Sequence, residues 1–137
     1  MSTCHSEISD DIKITLHNYC KDYLGDVWSS IDLNEMIVEQ ISGGCINQIF
    51  HCILPEYKQS QAKANDIPHE IVIRLYSKSY KQNRIDDMVT AWFASVNNLA
   101  PKIYGVFNDG EIQEFVKVSY TFQFQFNNNF SLIIVIF

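Results

Sequence analysis

Five positions carry most of the chemistry this sequence offers: the pair Gly43-Gly44, the cation Arg74, and the acids Asp86 and Asp87. The glycines lie in Ser42-Gly43-Gly44-Cys45-Ile46-Asn47, between two β-prone runs. Missing side chains there let backbone N–H groups approach phosphate oxygens. The pair opens no helix, so it is not a dinucleotide fingerprint. It is not a Walker loop either, because no Gly-Lys-Ser/Thr follows. By itself Gly-Gly between strands is a hairpin turn. Arg74 sits in the middle of the apolar run His69–Tyr76. An unpaired buried guanidinium is expensive, so either its face of the strand is solvated or it meets an anion. The planar fork of donors suits phosphate. Asp86 and Asp87 open a helical pattern. They are ordinary N-terminal charge on a helix, or one of them holds Arg74 in place.

Other chemistries find little support. Cys4, Cys20, Cys45 and Cys52 match no zinc or redox spacing, and they read as reduced small hydrophobes. His69-Glu70 lacks the second histidine of a zinc-protease helix. Ten basic against sixteen acidic residues give a net charge of −6, which offers no general attraction to nucleic acid or anionic lipid. No apolar run is long enough to span a bilayer, and Glu7, Asp10 and Asp11 interrupt any N-terminal signal core. The expected location is cytoplasmic. At 137 residues and 47% hydrophobic, the chain is one domain with enough apolar material for a core.

The elements that position these residues follow from periodicity. Ile8, Ile12, Leu16, Cys20 and Leu24 recur every fourth residue and predict a first helix. Ser9 is its N-cap and Gly25 its stop. Residues 36–41 and 47–54 read as strands, and Pro55 ends the second. Gln59 to Pro68 is polar without apolar periodicity and reads as a surface loop. His69 to Tyr76 is a third strand with Ile71, Ile73 and Leu75 on one face and Val72, Arg74 and Tyr76 on the other. A second helix is predicted from about Asn83 to Asn98, with Trp92 on its apolar stripe. Trp28 and Trp92 are both expected in the core. Residues 103–107 and 111–116 flank Asn108-Asp109-Gly110 as a hairpin. The simplest arrangement is α+β, a five-stranded antiparallel sheet with one helix inserted after the third strand and one preceding helix.

The order of these signals is that of an ATP-binding N-terminal kinase lobe: glycine loop, third-strand cation, helix acid, outgoing hairpin. The segments CKDYLGDVW, ISGGCINQIFHCILP, HEIVIRLYSK and LAPKIYGVFNDGEIQEFV resemble the choline/ethanolamine kinase family over about Leu16 to Val116. RLY and APKIYGVFNDG are more specific to it than the glycines.

The resemblance implies a protein-kinase-like N-lobe that takes part in transfer of the γ-phosphoryl group of ATP, with Mg²⁺, to choline or ethanolamine. That is a step of phosphatidylcholine or phosphatidylethanolamine synthesis. It places Ser42, Gly43, Gly44, Cys45, Ile46 and Asn47 over the phosphates and makes Arg74 the strand cation. Asp87 stands where the family has its Arg-positioning glutamate, one methylene longer. Glu114, Phe115 and Val116 become the hinge that reads adenine through its backbone. The expected organisation is an N-terminal helix and connector over 1–34, the lobe over 35–116, and a Phe/Asn/Ile-rich tail over 117–137 that is uncharged after Lys117. That tail carries an aggregation-prone run and reads as a replaced or truncated end. The sequence holds no His-Asn-Asp catalytic loop and no later metal-binding Asp motif, so no catalytic residue and no Mg²⁺ ligand is assigned here. The expectation is an incomplete enzyme, inactive as an isolated chain. The alternatives are a binding module that pairs with a kinase subunit or a C-lobe, or a truncated product without function.

Overall fold

The computed structural model describes residues 7–43, 47–76, 84–116, 119–124 and 130–135. Helix α1 (Asp10–Leu24) starts where the sequence supplies its cap: the Ile12 N–H donates to Ser9 Oγ at 3.4 Å, and Asp10 and Asp11 occupy the first turn. Gly25, at φ 76°, turns the chain out of the helix in a conformation that favours glycine. The short α2 (Asp26–Ser29) follows and buries Val27 and Trp28. Trp28 is wired in twice. Its indole N–H donates to the Pro68 carbonyl at 2.9 Å, and its own carbonyl lies 3.2 Å from His17 Nε2. A 3-10 turn at Leu33–Glu35, closed by a capping box between Asp32 and Glu35, delivers the chain to the sheet.

The main sheet contains β1 (Ile37–Gly43), β2 (Asn47–Ile53), β3 (Glu70–Tyr76), β4 (Ile103–Phe107) and β5 (Gly110–Glu114), all antiparallel, in the order β1-β2-β3-β5-β4. The expected alternation in β3 is present: Ile71 and Ile73 join the core with Phe50, Cys52 and Ile112, against Leu16 and Cys20 of α1 and Trp28 of α2. Leu75 packs at its edge. The opposite face carries Val72, Arg74 and Tyr76. A second, two-stranded sheet pairs β6 (Ser119–Phe124) with β7 (Phe130–Val135).

Two sequence expectations need correction. Residues 59–68 are not a loop throughout: α3 (Glu56–Ala64) occupies the β2–β3 connection, so two helices are inserted in the sheet rather than one. Its residues are good helix formers, but only Ala62 is buried, so no apolar stripe marked it in the sequence. Just past its end, Asp66 takes φ 56° and the Ile67 N–H reaches back to the Ala62 carbonyl at 2.9 Å. The second correction concerns α4 (Arg84–Val96), between β3 and β4. Among the described side chains, its apolar stripe stays out of the core. Val89, Trp92, Phe93 and Val96 are each about 60% exposed. Trp28 is buried as expected and Trp92 is not. Periodicity shows that a helix has an apolar side, but it does not show that a partner covers that side.

One glycine fixes the β3–β5 approach. At Gly110, opposite Leu75, an added Cβ would fall on the Arg74 carbonyl oxygen, closer than real Cβ contacts come.

Candidate nucleotide-facing site

The face of the sheet turned away from the helical core is the polar one. Pleat and register set its rows. Glu39, His51, Val72 and Gln113 lie in register across β1, β2, β3 and β5. One row further, Ile49, Arg74 and Glu111 stand side by side. The polar members are unusually covered: His51 is 8% exposed, Gln113 7% and Glu111 3%. Gln113 donates its amide to the Glu111 carboxylate in a short hydrogen bond. His51 Nε2 lies 3.1 Å from Glu70 Oε2, and because a carboxylate only accepts, that nitrogen carries the hydrogen. Its Nδ1 is 3.8 Å from Glu39 Oε2.

Arg74 reaches this face from the centre of β3. Its Nε is buried and has no hydrogen-bond partner. A buried, unanswered guanidinium N–H is costly in a folded protein and marks a place where an anion would be stabilised. The sequence left two readings open for Arg74, a solvated face or an anionic partner. Nε is covered, while the residue as a whole is half-buried.

The remaining predicted positions divide as follows. Ser42 and Gly43 close β1 and Asn47 opens β2, with Ser42 paired to Ile49 and Gly43 to Gln48. The two strands therefore run together up to the glycine turn. Gly44, Cys45 and Ile46 lie outside the described residues. Asp87 falls in the first turn of α4. Its pairing with Arg74 concerns a side chain outside what the structure describes.

Glu114 ends β5, and Phe115 and Val116 continue beyond the ladder. The Glu114 N–H is already committed to the Lys102 carbonyl at 2.7 Å, and one carboxylate oxygen accepts the Lys102 N–H at 3.2 Å. Glu114 therefore anchors the strand end, and Phe115 and Val116 lie beyond the ladder. Phe115 lies over His51, ring centroids 3.8 Å apart and planes 12° from parallel. Sequence reading missed His51. Its position one row from Arg74, on the same face, was the available signal. A cavity of about 460 Å³ is lined by Glu114 together with Trp92, Ser95, Asn98 and Lys102 among others. Next to it, burial first and then the charge of Glu114 raise the Tyr104 phenol above its ordinary value.

Two of the four cysteines are the reduced, buried small hydrophobes expected of them. Cys20 of α1 and Cys52 of β2 are both buried and free. A hydrogen bond with the Cys20 thiol, then burial, push Cys52 well above the ordinary thiol range. Among the described residues no group of three His, Cys, Asp or Glu side chains is placed to hold a metal ion, and no helix is long and apolar enough to cross a membrane.

Two solved structures share this fold. A choline kinase from Cryptosporidium parvum superimposes with a TM-score of 0.60 at 22% identity, over 79% of this chain and 28% of that one. An ethanolamine kinase from Plasmodium vivax gives 0.52 at 19% identity, over 88% and 30%. The fold is therefore protein-kinase-like, an open antiparallel sheet with helices. The family model for choline/ethanolamine kinase matches residues 38–131. A human choline/ethanolamine kinase is 30% identical over 115 residues, covering 81% of this chain, and choline kinase A2 of Caenorhabditis elegans is 26% identical over 107. The chain belongs to the choline/ethanolamine kinase family. It spans about 28% of the length of the human relative. The matched range extends past Val116 into the uncharged segment.

Proposed function

We propose that this chain is the nucleotide-binding portion of an ATP-dependent choline or ethanolamine kinase. The observation that carries the reading is the buried, unpartnered Nε of Arg74 on the polar face of the sheet. A phosphate group of ATP supplies the acceptor this donor lacks, and the guanidinium fork suits it geometrically. The turn between β1 and β2, Ser42 to Asn47, would cover the phosphates with backbone N–H groups. Asp87 would orient Arg74. Phe115 and Val116, with the Glu114 carbonyl, would meet the adenine edge.

Mg²⁺ and the amine alcohol belong to the family's chemistry. The described residues do not gather a ligand set for the metal, so no step is assigned to it here. Phosphoryl transfer rests on placing nucleotide, metal and acceptor together. No His-Asn-Asp catalytic loop is legible in the sequence, and binding without turnover is the activity proposed for these residues on their own. Affinity should lie near the millimolar end of the scale. A cytoplasmic setting and a role in phospholipid head-group synthesis follow from the same reading.

The test is ATP titration of the 137-residue chain, with Arg74→Ala and Arg74→Lys beside it. The alanine variant should lose about tenfold or more in affinity, since a charge-assisted contact is worth roughly 1.5–3 kcal/mol. Lysine should restore part of it. Equal binding by all three would remove the phosphate role. Transfer of labelled γ-phosphate to choline or ethanolamine by the chain alone would overturn the binding-without-turnover reading.

A further inference from the structure

We propose that His51 is a positioning residue for the hinge. Its imidazole holds the Phe115 ring face-on and so fixes the backbone that leaves β5. The imidazole itself is closely packed. It is 8% exposed, its Nε2–H donates to Glu70 at 3.1 Å, and its Nδ1 edge faces Glu39 at 3.8 Å. Glu70, from β3, holds the Nε2 edge by that hydrogen bond, and Glu39, from β1, lies near the Nδ1 edge beyond hydrogen-bond reach. That leaves its faces for packing. Phe115 occupies one of them, 3.8 Å centroid to centroid and 12° from parallel.

Phe115 is the first residue past the β5 ladder, where register no longer constrains the chain. A side chain clamped in a stack restricts its own χ1 and, through it, the φ and ψ it can adopt. The direction of the Phe115 and Val116 peptide groups is then set from β2, two strands away in the sheet order β1-β2-β3-β5-β4. His51 touches no nucleotide in this account. It acts through Phe115. The consequence for adenine rests on the nucleotide reading above, whereas the stack and its control of the backbone do not.

The experiment compares the wild-type chain with His51→Ala and His51→Phe by NMR, first without ligand and then with ATP. Without ligand, His51→Ala should remove the ring-current shift of the Phe115 side chain and move the Phe115 and Val116 amide resonances. His51→Phe should preserve both, because a phenyl ring restores the stack without the carboxylate contacts. With ATP, His51→Ala should weaken binding about threefold to tenfold, the worth of one aromatic pair, and His51→Phe should bind as wild type. Urea midpoints of the variants identify any that fail to fold. Unmoved Phe115 and Val116 resonances in a folded His51→Ala chain would overturn the proposal. So would a folded His51→Phe chain with the alanine variant's spectrum. If wild type binds no ATP, the nucleotide reading fails, and the ligand-free spectra still decide the role of His51.

Discussion

Replacing Gly110 by alanine should unseat the strand that carries Arg74. The new Cβ would land on the Arg74 carbonyl oxygen and lie 3.0 Å from both the Arg74 carbonyl carbon and the Phe107 ring. Two of the three obstacles are backbone, so no rotamer change relieves them. The strands must part instead. The adjacent Tyr76 N–H to Asp109 carbonyl bond, now 2.7 Å, closes the same end of the hairpin and would stretch with them. Overpacking costs about 1–3 kcal/mol and each weakened backbone hydrogen bond about 1 kcal/mol, so the expected loss is about 3 kcal/mol. That is a large share of the roughly 5–15 kcal/mol that holds a domain together. Urea unfolding measures it, and the midpoint should fall by about 1 M or more. Gly25→Ala is the comparator: nothing lies within 4 Å of its added Cβ, and only the φ of 76° is strained. That strain should cost about 1–3 kcal/mol. A Gly110→Ala chain as stable as wild type, with unshifted resonances at Arg74, would refute the steric reasoning and the β3–β5 geometry behind it.

Two further outcomes follow from titrating groups outside the site. A hydrogen bond from the Tyr57 hydroxyl, then one from the Asp32 N–H, holds Glu35 below the usual glutamate value. A depressed folded value adds stability above the ordinary glutamate range, which is lost as pH falls through the folded value. Tyr57→Phe should move the Glu35 titration upward in carboxyl NMR, and an unchanged titration would contradict the contact. For Cys52 the sign is opposite: a raised thiol contributes below its unfolded value, and that contribution is lost as pH rises through the folded one. In a Cys4→Ser, Cys45→Ser background, Cys20 and Cys52 should react with a thiol reagent only after urea unfolding. Rapid labelling of the native chain would contradict their burial.

The sequence was sufficient wherever a local rule has few alternatives. Ser9 and Gly25 bound α1 because a side-chain acceptor before a helix and a residue free to take positive φ after it are needed wherever helices start and stop. The period of two in β3 placed Arg74 opposite Ile71 and Ile73, since successive strand residues must alternate. The glycine turn, the strand cation and the outgoing hairpin appeared in kinase order, and their family was legible from the segments around them.

What required the tertiary structure were properties of pairs distant in sequence. α3 escaped notice because one buried alanine leaves no periodic signal. The exposure of Trp92 depends on what lies across from α4, which its own pattern does not encode. Cys20 and Cys52 meet because α1 lies across β2. The same holds for the site. Arg74 was visible as a cation in an apolar strand, but the burial of its Nε, the stack of Phe115 on His51 and the commitment of the Glu114 N–H to Lys102 arise only when register brings separate strands together. Local rules act over a few residues and leave their mark in spacing. Burial and stacking are set by whichever neighbour the folded chain supplies, and that neighbour can be sixty residues away, as Phe115 is from His51 at roughly that separation.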